Sequence, residues 1–171
     1  WLRAGVQHRR FAGSGDRAAI SDLFWKIQRA TARIGWHLAS LGAPTSPRNV
    51  VLAALVLIER QTAELPQLFA ADIAHAPAPL DPTETNLISV FANRSLTHPA
   101  MPDHITFEWP EWLMGDTKAG LGDAVGRELG ALLTEAPTDV RINSLKLSDR
   151  RKLRDKLAGR SITGHPTRLS P

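Results

Sequence analysis

Several sets of side chains in this sequence are of types and spacings that do chemistry. The densest is cationic: Arg150, Arg151, Lys152, Arg154 and Lys156 fall within seven residues, with Arg141 and Lys146 just before them. Cations this close together neutralise phosphates and give a salt-sensitive grip on a polyanion, most simply nucleic acid. The same pattern also describes a basic helix kept solvated by its charge, and composition weighs the two equally. A second set is Gly13-Ser14-Gly15-Asp16. Glycines before a helix can cradle a phosphate, but no Gly-Lys-Ser/Thr follows and no apolar strand precedes. That run is therefore read as a helix start, with Ser14 as cap and Asp16 in the first turn. Arg29 and Arg33, one helical turn apart, can hold a phosphate or form the wet face of a core helix. His98 and His104 have no third ligand at a useful spacing, so no metal is assigned.

What is missing narrows the chemistry further. The chain has no cysteine, which removes disulfides, thiolate metal ligands and thiol nucleophiles together. No Ser/His/Asp arrangement is indicated by local context, and most carboxylates stand at helix starts, where capping accounts for them. No catalytic, cofactor-binding or metal-binding residue is assigned. Hydrophobic residues make up 43% of the chain, enough for a packed core. The longest apolar run, Val50–Ile58, is too short to span a bilayer. A membrane partner is not expected, and the chain reads as cytoplasmic.

Charge is unevenly placed. Residues 1–135 hold 12 Lys/Arg and 14 Asp/Glu, whereas residues 136–171 hold 9 and 3. The basic character therefore belongs to the last fifth of the chain.

The elements that position these groups are mainly helices. Ala19, Ile20, Leu23, Phe24, Ile27, Ala30, Ile34 and Leu38 recur at three- and four-residue steps, predicting one continuous helix stopped by Gly42 and Pro44. Ser46-Pro47 opens a second helix, whose Val50–Ile58 run is apolar on nearly all sides and belongs in the core. A short helix is expected over Glu64–Ala71, and the Ala-Pro alternation at 76–79 is a stiff connector. Asp81-Pro82-Thr83-Glu84 starts another helix, with Leu87, Ile88 and Phe91 buried. Thr97–Phe107 reads as a loop. Pro110 and Glu111 open a glycine-rich helical section in which Trp112 and Leu113 are expected to anchor inside; an exposed aromatic platform is the other possibility. A strand over Thr138–Leu145, a helix capped by Ser148 and ending near Gly159, and a second strand in Ser161–Leu169 would make a β-α-β piece too small for its own core.

Three segments carry a resemblance. Pro137-Thr138-Asp139-Val140-Arg141-Ile142-Asn143-Ser144-Leu145-Lys146, together with Phe11–Ile20 and Pro110-Glu111-Trp112-Leu113, resembles the RsmB/Nop/Sun (Fmu-type) family of RNA 5-methylcytosine methyltransferases. The resemblance implies a NusB-like helical bundle over residues 1–135. Residues 136–171 would then begin a linking α/β subdomain that is incomplete here, with the catalytic domain absent. It also implies RNA, rRNA above all, as the partner, and a catalytic domain packing against this chain in the parent enzyme.

Cytosine-5 methylation needs a thiolate that adds to the ring and a cleft for S-adenosylmethionine. This sequence has neither, so the cofactor is expected only of the full-length parent. The chain is expected to be a non-catalytic recognition domain gripping RNA through Arg141, Lys146, Arg150, Arg151, Lys152, Arg154 and Lys156. Arg141, between Val140 and Ile142, has the further possibility of tying its strand to the catalytic domain, and Asn143 reads as a structural hydrogen-bonder. The alternatives are a NusB-like protein- or RNA-binding module acting in transcription antitermination, and a helical scaffold without a ligand.

Overall fold

The computed structural model describes residues 5, 13–72, 76–141, 143, 145–146 and 149–165, with Arg150 described in its backbone only. Phe11, Ala12, Ile142, Ser144, Ser148 and the part of the second expected strand beyond residue 165 lie outside these. The chain divides into two units, residues 1–134 and 135–171.

The first unit is helical and is built around α3, Pro47–Leu57, for which the sequence supplies both the start and the burial. Ser46 Oγ accepts the Asn49 amide at 3.1 Å, and Pro47 occupies the first position, where its missing N–H costs nothing. Leu52, Ala53, Ala54 and Val56 are fully buried. The two alanines let neighbouring helices approach closely, and α3 packs on α1 (Ser14–Gln28), α2 (Thr31–Ala39) and α5 (Pro82–Ala92). Ile34, Leu38, Leu65, Leu87, Ile88 and Phe91 complete the core. Each large apolar side chain buried there contributes about 1.5–3 kcal/mol.

α5 begins as its sequence indicates. Asp81 Oδ1 accepts the Glu84 amide at 2.8 Å and Glu84 Oε2 accepts the Asp81 amide at 3.0 Å, a reciprocal cap. Glu84 is nevertheless buried, because Arg48 at the start of α3 pairs with it. The same guanidinium donates to the carbonyls of Ala78 and Pro79 at 2.7 and 3.1 Å. Arg48 thus pins the stiff Ala-Pro connector across the beginnings of two helices.

The expected single helix from residue 14 to beyond residue 34 is two helices. α1 ends at Gln28, Ala30 leaves helical geometry, and α2 starts at Thr31. A break exposes amide donors that a continuous helix would have satisfied. Here a remote residue satisfies them: Glu108 Oε2 accepts the Ala32 amide at 2.7 Å, and Oε1 accepts the Arg33 amide at 2.9 Å. Oε1 also accepts Arg33 Nε at 3.1 Å. Glu108 reaches this position with φ +50°, a left-handed backbone that costs a non-glycine residue energy. At the other end of the pair, Gly13 rather than Ser14 is the cap of α1, and Asp16 Oδ2 accepts its amide at 2.8 Å.

Shorter elements also depart from expectation. α4 covers only Leu65–Leu68, and the expected 97–107 loop contains a one-turn helix, α6, at Asp103–Thr106. The glycine-rich section splits into α7, Glu111–Leu121, and α8, Val125–Leu132, around a 3-10 turn at Gly122–Ala124. Gly122 has φ +52°, which a side chain would resist. Trp112 does not anchor α7. It is 79% exposed, and Met114 is buried in its place. Trp109 is half-buried and donates from Nε1 to Thr117 Oγ1 at 2.9 Å.

In the second unit the expected β-α-β piece does not form among the described residues. Residues 135–141 and 143 have no regular structure, 145–146 form a turn, and 162–165 are irregular. A strand needs a partner for its amides and carbonyls, and Ser144 ends the alternation that Val140 and Ile142 begin. Val140 is 68% and Leu145 97% exposed. The helix does form: α9 spans Arg150–Ala158, capped by Asp149, whose Oδ1 accepts the Arg151 amide at 2.8 Å. Among the described residues of the whole chain there is no strand, and no helix is long and apolar enough to cross a membrane.

Candidate nucleic-acid interface

α9 presents its cations because its few apolar residues are taken up locally. Leu153 and Leu157, one turn apart, are half-buried. The chain beyond the helix turns at Ser161, with φ +59°, and the Ile162 amide donates to the Leu157 carbonyl at 2.9 Å. A Cβ placed on Gly164 would lie 3.8 Å from Leu157 Cδ1, so the returning chain covers this side of α9. Arg151, Lys152, Arg154 and Lys156 are exposed. None has an ion-pair partner among the described residues.

Arg150 is the first residue of α9. Arg141 and Lys146 are also exposed, on the irregular chain ahead of the helix. No hydrogen bond or ion pair between described residues ties either of them to α9. Asn143 closes the intervening turn: its Oδ1 accepts the Leu145 amide at 3.1 Å and its carbonyl accepts the Lys146 amide at 3.0 Å. The four described cations of α9 are therefore open along one helix, while Arg141 and Lys146 stand on the irregular chain ahead of it.

The helical unit has a basic concavity, an open groove of about 250 Å³ at the α1–α2 elbow, lined by Lys26, Arg29, Arg33 and Thr134 over Ala30, Ile58, Leu96 and Leu133. Two of its three cations are already engaged. Lys26 Nζ lies 2.8 Å from Asp22 and 2.9 Å from Glu59, and those carboxylates push its pKa up to about 12. Arg33 is held by Glu108 and also donates to the Arg29 carbonyl at 2.6 Å. Of the three cations only Arg29 lacks an ion pair with a described residue, so one member of the Arg29–Arg33 pair is tied to a carboxylate.

Other polar groups were not legible beforehand. His37 is fully buried, with its ring edge-on to Trp36 and Phe91 at centroid distances of 5.2 and 5.7 Å. Its Nε2 donates to the Leu96 carbonyl at 3.1 Å, which leaves Nδ1 unprotonated and facing Arg94 Nη1 at 3.5 Å. Burial, with the Arg94 cation adding to it, holds its pKa below the ordinary value. The only sequence signal was its position three residues after Ile34 on the buried face. Glu108 gave none, because its partners lie 75 and 76 positions away. Among the described residues no three metal-capable side chains lie together.

The chain matches no known protein family, no curated protein and no solved structure. The family resemblance therefore rests on its three segments alone.

Proposed function

We propose that this chain is an RNA-binding recognition module whose gripping surface is the basic segment 141–156, the other unit being a helical body. One observation carries the reading: Arg151, Lys152, Arg154 and Lys156 of α9 are exposed and without ion-pair partners among the described residues, whereas Lys26, Arg33, Arg48, Lys118 and Arg127 of the helical body each pair with a carboxylate. Desolvating a paired cation for a ligand means breaking its pair; an unpaired one releases only water and counterions.

The finer reading is that the module belongs to an S-adenosylmethionine-dependent rRNA cytosine-5 methyltransferase, working in the cytoplasm, with cofactor and thiol on a separate domain. The 137–146 segment supports it by its resemblance. The exposed Val140 and Leu145 support it physically, since they are apolar surface that a packed domain would cover.

The test is an RNA-binding titration at several salt concentrations. With about six phosphate contacts, affinity falls roughly 10³-fold between 50 and 200 mM salt. The combined variant Arg150→Glu, Arg151→Glu, Arg154→Glu loses most of that affinity and flattens the salt slope. Unchanged binding by the variant defeats the site assignment, and no binding at low salt defeats the function. A second reading, a protein-binding module of antitermination type, is favoured by a different observation: Trp112 is 79% and Leu132 66% exposed on the helical body. A Trp112→Ala variant that loses a protein partner while the chain shows no RNA affinity would select it.

A further inference from the structure

Resting on the RNA reading above, the arrangement of charges around α9 narrows the kind of RNA. Residues of an α-helix step by about 100° around its axis. On that wheel Leu153 and Leu157 share one side, the side covered by the returning chain. Arg151 and Arg154 lie on one flank and Lys152 and Lys156 on the other. Asp155 lies between the two files, opposite the leucines, at the centre of the outward face. It is exposed and has no ion pair with a described residue, although Arg151 stands one turn before it. Arg before Asp is the less favourable order for such a pair.

A single row of phosphates laid along this face would run over the carboxylate. Two rows, one to each side, would meet only cations. The strip between the rows would then face Asp155 and must offer hydrogen-bond donors in place of phosphate oxygens. A helical duplex has this pattern, and the wide, shallow minor groove of A-form RNA carries 2′-hydroxyls and amino groups on its floor. The opposite requirement points the same way. Single strands are held by stacking their bases on aromatic rings, and residues 135–171 contain no Phe, Tyr or Trp.

We infer that the ligand of α9 is double-stranded RNA, with Arg151 and Arg154 on one phosphate row, Lys152 and Lys156 on the other, and Asp155 accepting from the groove between them. The experiment compares the whole chain on an RNA duplex of roughly 16 base pairs and on one of its strands, chosen not to self-pair, at matched salt. The duplex is expected to bind at least about tenfold more tightly, the equivalent of one lost stacking contact. Asp155→Ala, which removes a negative charge, is expected to tighten single-strand binding but not duplex binding, so the preference contracts. Equal affinity of the unaltered chain for both forms overturns the inference and leaves the RNA reading standing. So does an equal gain for both forms in Asp155→Ala, because Asp155 would then be only a repelling charge. Binding to neither form overturns the RNA reading itself.

Discussion

The two units use charge in opposite ways. In the helical unit, carboxylates and cations hold helices in place: Glu108 caps α2 and binds Arg33, Glu84 fixes Arg48 across two helix starts, and Lys118 Nζ meets Asp103 Oδ2 at 2.6 Å between α6 and α7. In the second unit the four described cations of α9 have no such counterpart among the described residues. The contrast shows that density of charge matters less than its commitment. Arg29 and Arg33 look like a phosphate clamp on paper, yet one of them is architecture, while the equally ordinary Arg151 and Arg154 are left to solvent.

This division predicts which changes move stability and which move binding. The largest effect falls in the core. Leu52→Ala should cost about 2–5 kcal/mol, measured by urea unfolding, with RNA affinity of the folded fraction unchanged; a parallel loss of affinity would show that the units do not act separately. Next comes Glu108→Ala. It leaves two amides of α2 uncapped and Arg33 without its carboxylate, a loss of about 2–3 kcal/mol. If its unfolding midpoint matches that of the unaltered chain, the elbow does not depend on this cap.

Acid should act on the helical unit through His37. Its folded pKa lies below the unfolded one because burial and Arg94 disfavour the imidazolium. Its contribution is therefore complete above about pH 6.5 and falls as pH drops through the folded value, at no more than about 1.4 kcal/mol per pH unit. Glu84, held below the carboxylate range chiefly by Arg48, adds a second loss only when pH falls below its ordinary value of 4.5. Urea midpoints between pH 8 and pH 5 test the first of these, and a flat profile would contradict the neutral buried imidazole. The smallest effect is expected of Leu145→Ser, at a side chain 97% exposed, which should change stability by less than about 0.5 kcal/mol. A larger loss would mean that this leucine is packed in solution.

Much of the helical unit was readable in advance. Ser46-Pro47 and Asp81-Pro82 mark helix starts by chemistry confined to one turn, and the Val50–Ile58 run is too apolar to lie anywhere but inside. Leu87, Ile88 and Phe91 followed from spacing alone. Where reading failed, non-local forces had decided. The apolar period from Ala19 to Leu38 is continuous, but a carboxylate far along the chain stabilises a break in it. Trp112 is expected inside as a large aromatic opening α7, yet it is Met114 that is buried. A strand was expected over 138–145 from its valine and isoleucine, but strand formation depends on a neighbour to bond with, which no single segment contains.

The sequence by itself determined where α3 and α5 start, which run forms the centre of the core, and that positive charge gathers in the last fifth of the chain. These follow from local capping, from periodicity and from counting, all of which act over a few residues. Tertiary structure alone decided which charges are committed and which remain open. Pairing is a matter of distance in space, and Arg33 with Glu108, Arg48 with Glu84 and His37 with Leu96 are each brought together across 36 or more positions of chain.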